Sequence, residues 1–133
     1  LKLYKRDLIA DMRFPNDMPE DIPFVLEAYL RADTLSVAAD YAYYHVSFDL
    51  EAGQASTTVW DDPHSTIRIF RRILNLQKQY AKSNQDFVVV WKRLFSLDVP
   101  KTESIIEQNG VVLDGDEQLV MQRLKDAFDS VDG

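Results

Sequence analysis

PHSTIRIFRRILNLQKQYAKSNQDFVVVWKRLFSL, residues 63–97, is a run of thirty-five residues with neither Gly nor Pro after its first position. Ile69, Ile73, Leu76, Tyr80, Ser83, Phe87, Val90, Leu94 and Leu97 recur in it at steps of four and three, and eight of the nine are apolar. Such steps return residues to one side of a helix and to no single face of a strand. A second row, Phe70, Leu74, Val88, Trp91 and Phe95, widens that side beyond a coiled-coil seam into the face of a core helix. Asp61 or Asp62 can cap the start, Pro63 suits the first helical position, and Pro100 is placed to close the far end. The weak point is Ser83-Asn84-Gln85-Asp86, a run of poor helix formers. Unbroken, the helix would be roughly 50 Å long at 1.5 Å per residue, longer than a compact domain of this size is wide. It therefore either projects toward a partner or folds back at 83–86.

On the N-terminal side, Leu3, Tyr4, Leu8, Ile9 and Met12 have the spacing of a short helix. Pro15 and Pro19 interrupt it. Glu20, Asp21 and Pro23 open a second helix through residues 22–32, where acids complement the backbone dipole. Asp33 or Thr34 can cap a further helix over Leu35, Val37, Ala38, Ala39 and Tyr41. The period then changes. Tyr44, Val46, Phe48 and Leu50 alternate with His45, Ser47, Asp49 and Glu51, the pattern of a half-buried strand. Gly53 supplies a turn, and Ser56-Thr57-Thr58-Val59-Trp60 reads as the returning strand. One helix from Leu35 to Glu51 would instead place His45 and Asp49 beside Val37, Tyr41, Tyr44 and Phe48, a charge cost that the hairpin avoids. On the C-terminal side, residues 102–109 read as a short helix stopped by Asn109-Gly110. Residues 116–131 read as a last helix, with Leu119, Val120, Leu124, Ala127, Phe128 and Val131 inward and Arg123 and Lys125 toward solvent. The expected fold is α+β: a single, helix-dominated domain over 1–133, with a long central helix at 63–97 and one β-hairpin at about 43–60.

The 133 residues suffice for one core without staples. The absence of cysteine excludes disulfides, thiolate metal sites and cysteine nucleophiles, and fits a reducing, cytoplasmic compartment. No apolar run approaches the roughly 18 residues of a membrane span. The first residue is Leu1, not Met, which suggests a fragment, a processed form or a trimmed chain.

Two histidines and four glycines leave little for catalysis. There is no phosphate-binding glycine loop and no nucleophile elbow. His64 near Asp61 and Asp62 is explained by helix capping without a metal. Asp114-Gly115-Asp116 begins like a calcium loop, but Leu119 stands where that loop needs Gly and Lys125 where it needs a bidentate acid. No cofactor and no metal are expected.

Net charge is −7, unevenly spread. Residues 64–97 hold seven bases against one acid, between acidic flanks. Either the flanks fold back and neutralise the basic helix, or its basic face meets an acidic partner. Arg68, Arg71, Arg72, Lys78 and Lys82 cluster on the side away from the Ile69–Ile73–Leu76 stripe. Tyr43, one of three tyrosines in four residues, must face opposite to its neighbours on a strand. Trp91, Arg93 and Phe95 have the make-up of an interface hot spot. The expected function is a non-enzymatic protein-binding module, regulatory or inhibitory, whose partner is another protein or a second copy of itself. The alternative is a nucleic-acid binder using the same bases. A sequence pI near 4.7 weighs against it, because such domains are usually basic overall. Small acidic binding proteins such as toxin-immunity proteins and secretion chaperones are similar in size and charge, a likeness of composition that carries no residues over.

Overall fold

The computed structural model describes residues 2–14, 16, 21–42, 61–83, 85–86, 92 and 94–132. Five α-helices are assigned among them: α1 (Arg6–Ile9), α2 (Asp21–Arg31), α3 (Pro63–Tyr80), α4 (Val99–Asn109) and α5 (Gly115–Asp132). A π-helical segment, Leu94–Asp98, leads into α4.

Helix α3 is the centre of the molecule. Its start is fixed locally: the Asp62 carboxylate accepts from the Ser65 backbone N–H at 3.1 Å and from the Ser65 hydroxyl, and Pro63 follows in the first turn. Ile69, Phe70, Ile73 and Leu76 are buried, as the two rows predict, in one core with Leu26 of α2, Leu94, and Val120 and Leu124 of α5. Ile67 lies outside the predicted stripe and is buried too. The buried arc is wider because helices flank α3 on two sides. His64 at the start of α3 pairs with Glu117 at the start of α5, and the C-terminal halves of the two helices line one groove, so they run side by side in the same direction. On the other flank Glu27 of α2 faces Arg72, and Arg31, one turn on, lies over the Tyr80 ring at 5.5 Å, so α2 runs in that direction as well. Each parallel pair sets helix dipoles side by side. Acids in the first turns of α2 and α5 and Lys78 in the last turn of α3 offset that.

A second small core holds the N-terminal segment on α2. Met12, Phe24 and Ala28 are buried, with Tyr4, Leu8 and Ile9 against them. Phe14 stacks on Phe24 at 4.1 Å, and Tyr4 meets the same ring edge-on at 5.7 Å. At the other end of the chain, Gly110 takes a left-handed φ of 61° and stops α4, as Asn109-Gly110 predicts. The Val111 N–H then reaches the Ile106 carbonyl at 3.0 Å. Asp114 and Glu117 exchange side-chain and backbone bonds of 2.8 and 3.0 Å, a capping box that opens α5.

Three expectations need correction, and one open alternative is decided. The α+β class does not hold: the described residues form helices and no strand, and their core is closed by helical side chains alone. A lone two-stranded hairpin is marginal in water, so alternation by itself is a weak specification. Residues 43–60, assigned to the hairpin, lie outside the described residues. The helix expected over 35–41 is also absent: 34–39 are irregular. Leu35 and Val37 are 62% and 91% exposed there, so no buried face repays the cost of helix nucleation. The long helix ends at Tyr80, with Ala81 extended at ψ 134°. Of the two outcomes weighed for 63–97 the break is the one found, slightly before the predicted point. Ser83 then accepts from the Asp86 backbone N–H at 3.1 Å, beginning a new turn. Finally, Pro100 does not close a helix but sits in the first turn of α4, where its missing N–H costs nothing. The π turn before it relieves the crowding that a proline ring imposes on the preceding turn.

Candidate functional site: a basic strip and the groove beside it

With α2 and α5 covering its flanks, α3 keeps one strip open to water. His64, Arg68, Arg71, Arg72, Asn75, Lys78 and Gln79 are all exposed; His64, Arg68, Arg71, Asn75 and Lys78 follow at three- and four-residue steps along the side opposite the core, with Arg72 and Gln79 beside them. Four of the five bases named from the sequence for this helix thus share one surface. Lys82 follows just beyond the helix end, also exposed.

These bases differ in what they touch. Arg68 donates to the Ser65 hydroxyl at 3.0 Å. Arg72 leans toward α2 and stands 3.7 Å from Glu27, whose carboxylate is already held by Arg31 at 2.9 Å. Among the described residues no carboxylate lies within ion-pair distance of Arg71, Lys78 or Lys82. The acidic flanks do fold back, but mostly onto other groups: Asp11 onto Arg31 at 2.8 Å, Asp61 onto Lys101 at 3.2 Å and Glu117 onto His64 at 2.7 Å. Among the described residues, internal neutralisation therefore reaches the edge of the strip and leaves its centre positive.

The strip borders a groove of about 550 Å³ between the C-terminal halves of α3 and α5. Lys78 and Lys82 stand on one wall and Arg123 on the other, with Leu74, Ala81 and Ala127 among the apolar lining. One acid, Asp126, also lines it, and its carboxylate accepts from the Gln122 amide at 2.7 Å. Arg123 was read from the sequence as a plain solvent-facing residue of the last helix. Nothing in its spacing could mark it, because its role depends on which helix lies alongside.

The remaining candidates are placed differently. Phe95 is partly buried, with its ring 5.1 Å from that of Phe128, so it packs against α5. Tyr43, Trp91 and Arg93 lie outside the described residues. Among the described residues, no group of three or more His, Asp or Glu side chains is arranged to hold a metal ion. No helix among them is long and apolar enough to cross a membrane.

The electrostatics at the start of α3 are distinct from those of the strip. The hydrogen bond and charge of Glu117 raise the His64 pKa above its ordinary 6.5, with Asp62 and Asp114 adding to the effect. The Ser65 hydrogen bonds lower the Asp62 pKa. At the other flank, the Arg31 hydrogen bond lowers that of Asp11.

No protein-family model matches the chain, and no solved structure matches it. The chain is similar to the poly(ribitol-phosphate) beta-N-acetylglucosaminyltransferase TarS of Staphylococcus aureus, with 29% identity over 103 residues. The match covers 71% of this chain and 18% of that transferase, so the shared stretch is less than a fifth of the longer protein.

Proposed function

We propose that this chain is a non-catalytic binding module, regulatory or inhibitory in role, that presents the basic strip of α3 to an acidic protein partner. The observation that carries this reading is the exposure of Arg71, Lys78 and Lys82 with no carboxylate partner among the described residues, on a helix whose opposite side is buried. Cations with no carboxylate neighbour among the described residues are placed to meet another protein's acids and to steer its approach. Arg68 and Arg71 would anchor one end of the contact, Lys78 and Lys82 the other. Nucleic acid uses the same charges but must also approach a chain of net charge −7. The test is titration with polyglutamate over a salt series, using wild type and Arg68→Gln/Arg71→Gln. Binding that weakens with salt and falls about tenfold in the variant is expected. No binding at low salt, or a variant that binds like wild type, sinks the reading. Light scattering on the free chain tests whether a second copy is the partner.

The similarity to a glycosyltransferase supports a second reading. In it the chain is an accessory segment of a longer polymer-modifying protein, and the anionic ligand is a polyol phosphate chain rather than a protein. The two readings differ in the anion, carboxylate against phosphodiester, and so in the probe that binds.

A further inference from the structure

The groove between α3 and α5 has three features that a flat charged face lacks. It is open to solvent but sizeable: about 550 Å³ lies within the range of small-ligand sites. Its cations come from two elements, Lys78 and Lys82 from the end of α3 and Arg123 from the middle of α5. Its lining is mixed, with the apolar Leu74, Ala81 and Ala127 beside the Asn75 amide.

We propose that this groove is a binding site for a phosphodiester unit of a polyol phosphate chain, held by Lys78, Lys82 and Arg123. The choice of the polyol chain rests on the second reading above; the choice of a doubly walled anion site rests on the groove itself. The charge balance is favourable. Among the described residues three cations face one carboxylate, and that carboxylate is engaged along its own helix by Gln122. The opposing influences are the negative ends of α3 and α5, whose C-terminal halves both line the groove. At the end of α3 the Gln77 carbonyl is engaged by the Ala81 N–H at 3.0 Å, and a helix-end field fades within a turn. Arginine offers a planar fork that spans two phosphate oxygens, while lysine ammonium groups act as point charges on flexible stems. Together they hold a phosphate without requiring one fixed entry angle. The apolar lining suits the carbon face of a polyol, and Asn75 can bond its hydroxyls. A nucleic acid would need base-stacking aromatics for comparable grip, and among the described residues none lines this groove.

The test is calorimetric titration of the full chain with a synthetic four-unit ribitol phosphate oligomer. Polyglutamate and oligothymidylate of equal charge serve as comparisons. Lys82→Gln/Arg123→Gln should weaken oligomer binding about tenfold, and Lys5→Gln/Arg6→Gln, exposed on the N-terminal segment and in neither the strip nor the groove, should change it less than about twofold. Arg123→Lys, which keeps the charge, should recover part of the loss. Far-UV circular dichroism confirms that each variant stays folded; all four positions are exposed. Failure of the oligomer to bind overturns the proposal and the second reading together. Oligomer binding lost in the Arg68/Arg71 variant but kept in the Lys82/Arg123 variant overturns the groove alone and moves the site onto the strip. Oligothymidylate binding as tightly as the oligomer overturns the polyol assignment. So does a groove variant that weakens polyglutamate as much as the oligomer.

Discussion

His64 Nδ1 lies 2.7 Å from Glu117 Oε1 and joins the first turn of α3 to the first turn of α5 across 53 residues of sequence. Glu117 also closes the capping box of α5 through its other oxygen, so one carboxylate ties both helix starts. The raised pKa of His64 sets the sign of the pH effect. A group whose folded pKa is raised contributes stability that is complete below its unfolded value, about 6.5, and is lost as pH rises through the higher folded value. Urea midpoints of the wild type should therefore fall as pH rises above about 6.5. Those of His64→Gln should lack that part of the decline. Parallel curves for the two proteins across this range would show that the pair adds no pH-linked stability.

The centre of the core should respond as a packed interior. Phe70 and Ile73 are 0% exposed, so Phe70→Ala should cost about 3–5 kcal/mol and Ile73→Val about 1 kcal/mol. Arg71→Ala on the open strip should stay within about 0.5 kcal/mol. Urea denaturation of the three variants checks the order.

Helix ends provide a second scale. Asp62→Ala removes the carboxylate that caps α3 and should cost about 1 kcal/mol. Gly110→Ala meets nothing within 4 Å of the added methyl group, but φ stays at +61°. Its cost, about 1 kcal/mol, is then purely conformational. Thermal melts of both variants measure these losses.

Phe95 distinguishes core from interface. Its ring contact with Phe128 predicts that Phe95→Ala and Phe128→Ala each destabilise the monomer. The double variant should lose less than their sum, with a coupling of about 0.5–1.5 kcal/mol. Additive losses, with a change in solution mass by light scattering, would instead assign Phe95 to an intermolecular contact.

Much of the helical framework is legible in the sequence because local chemistry specifies it. The Ile69–Ile73–Leu76 stripe, Pro63 after Asp62, Asn109-Gly110 and Asp114 with Glu117 each carry their own signal within a few residues. The stripe also told which side of α3 faces water, and with it the positions of Arg68, Arg71, Arg72 and Lys78. What it could not tell is where a stripe stops being one helix. The four-three steps run on past Tyr80, yet the backbone turns extended at Ala81. Periodicity reports which residues share a direction, not whether the intervening peptide bonds stay helical.

The sequence by itself determined α2, α3, α4 and α5 and the sign of the charge on the open side of α3. The tertiary structure decided the rest. The segment after Asp33 remains irregular because helix formation needs an apolar face to be covered, and Leu35 and Val37 are exposed. Pro100 stands in the first turn of a helix instead of ending one, directly after the π turn at Leu94–Asp98, a placement set by the backbone path into α4. Arg123 joins Lys78 and Lys82 because α5 lies parallel to α3. That relationship spans more than forty residues of sequence; it is fixed by the packing of Val120 and Leu124 into the α3 core, which no local pattern encodes.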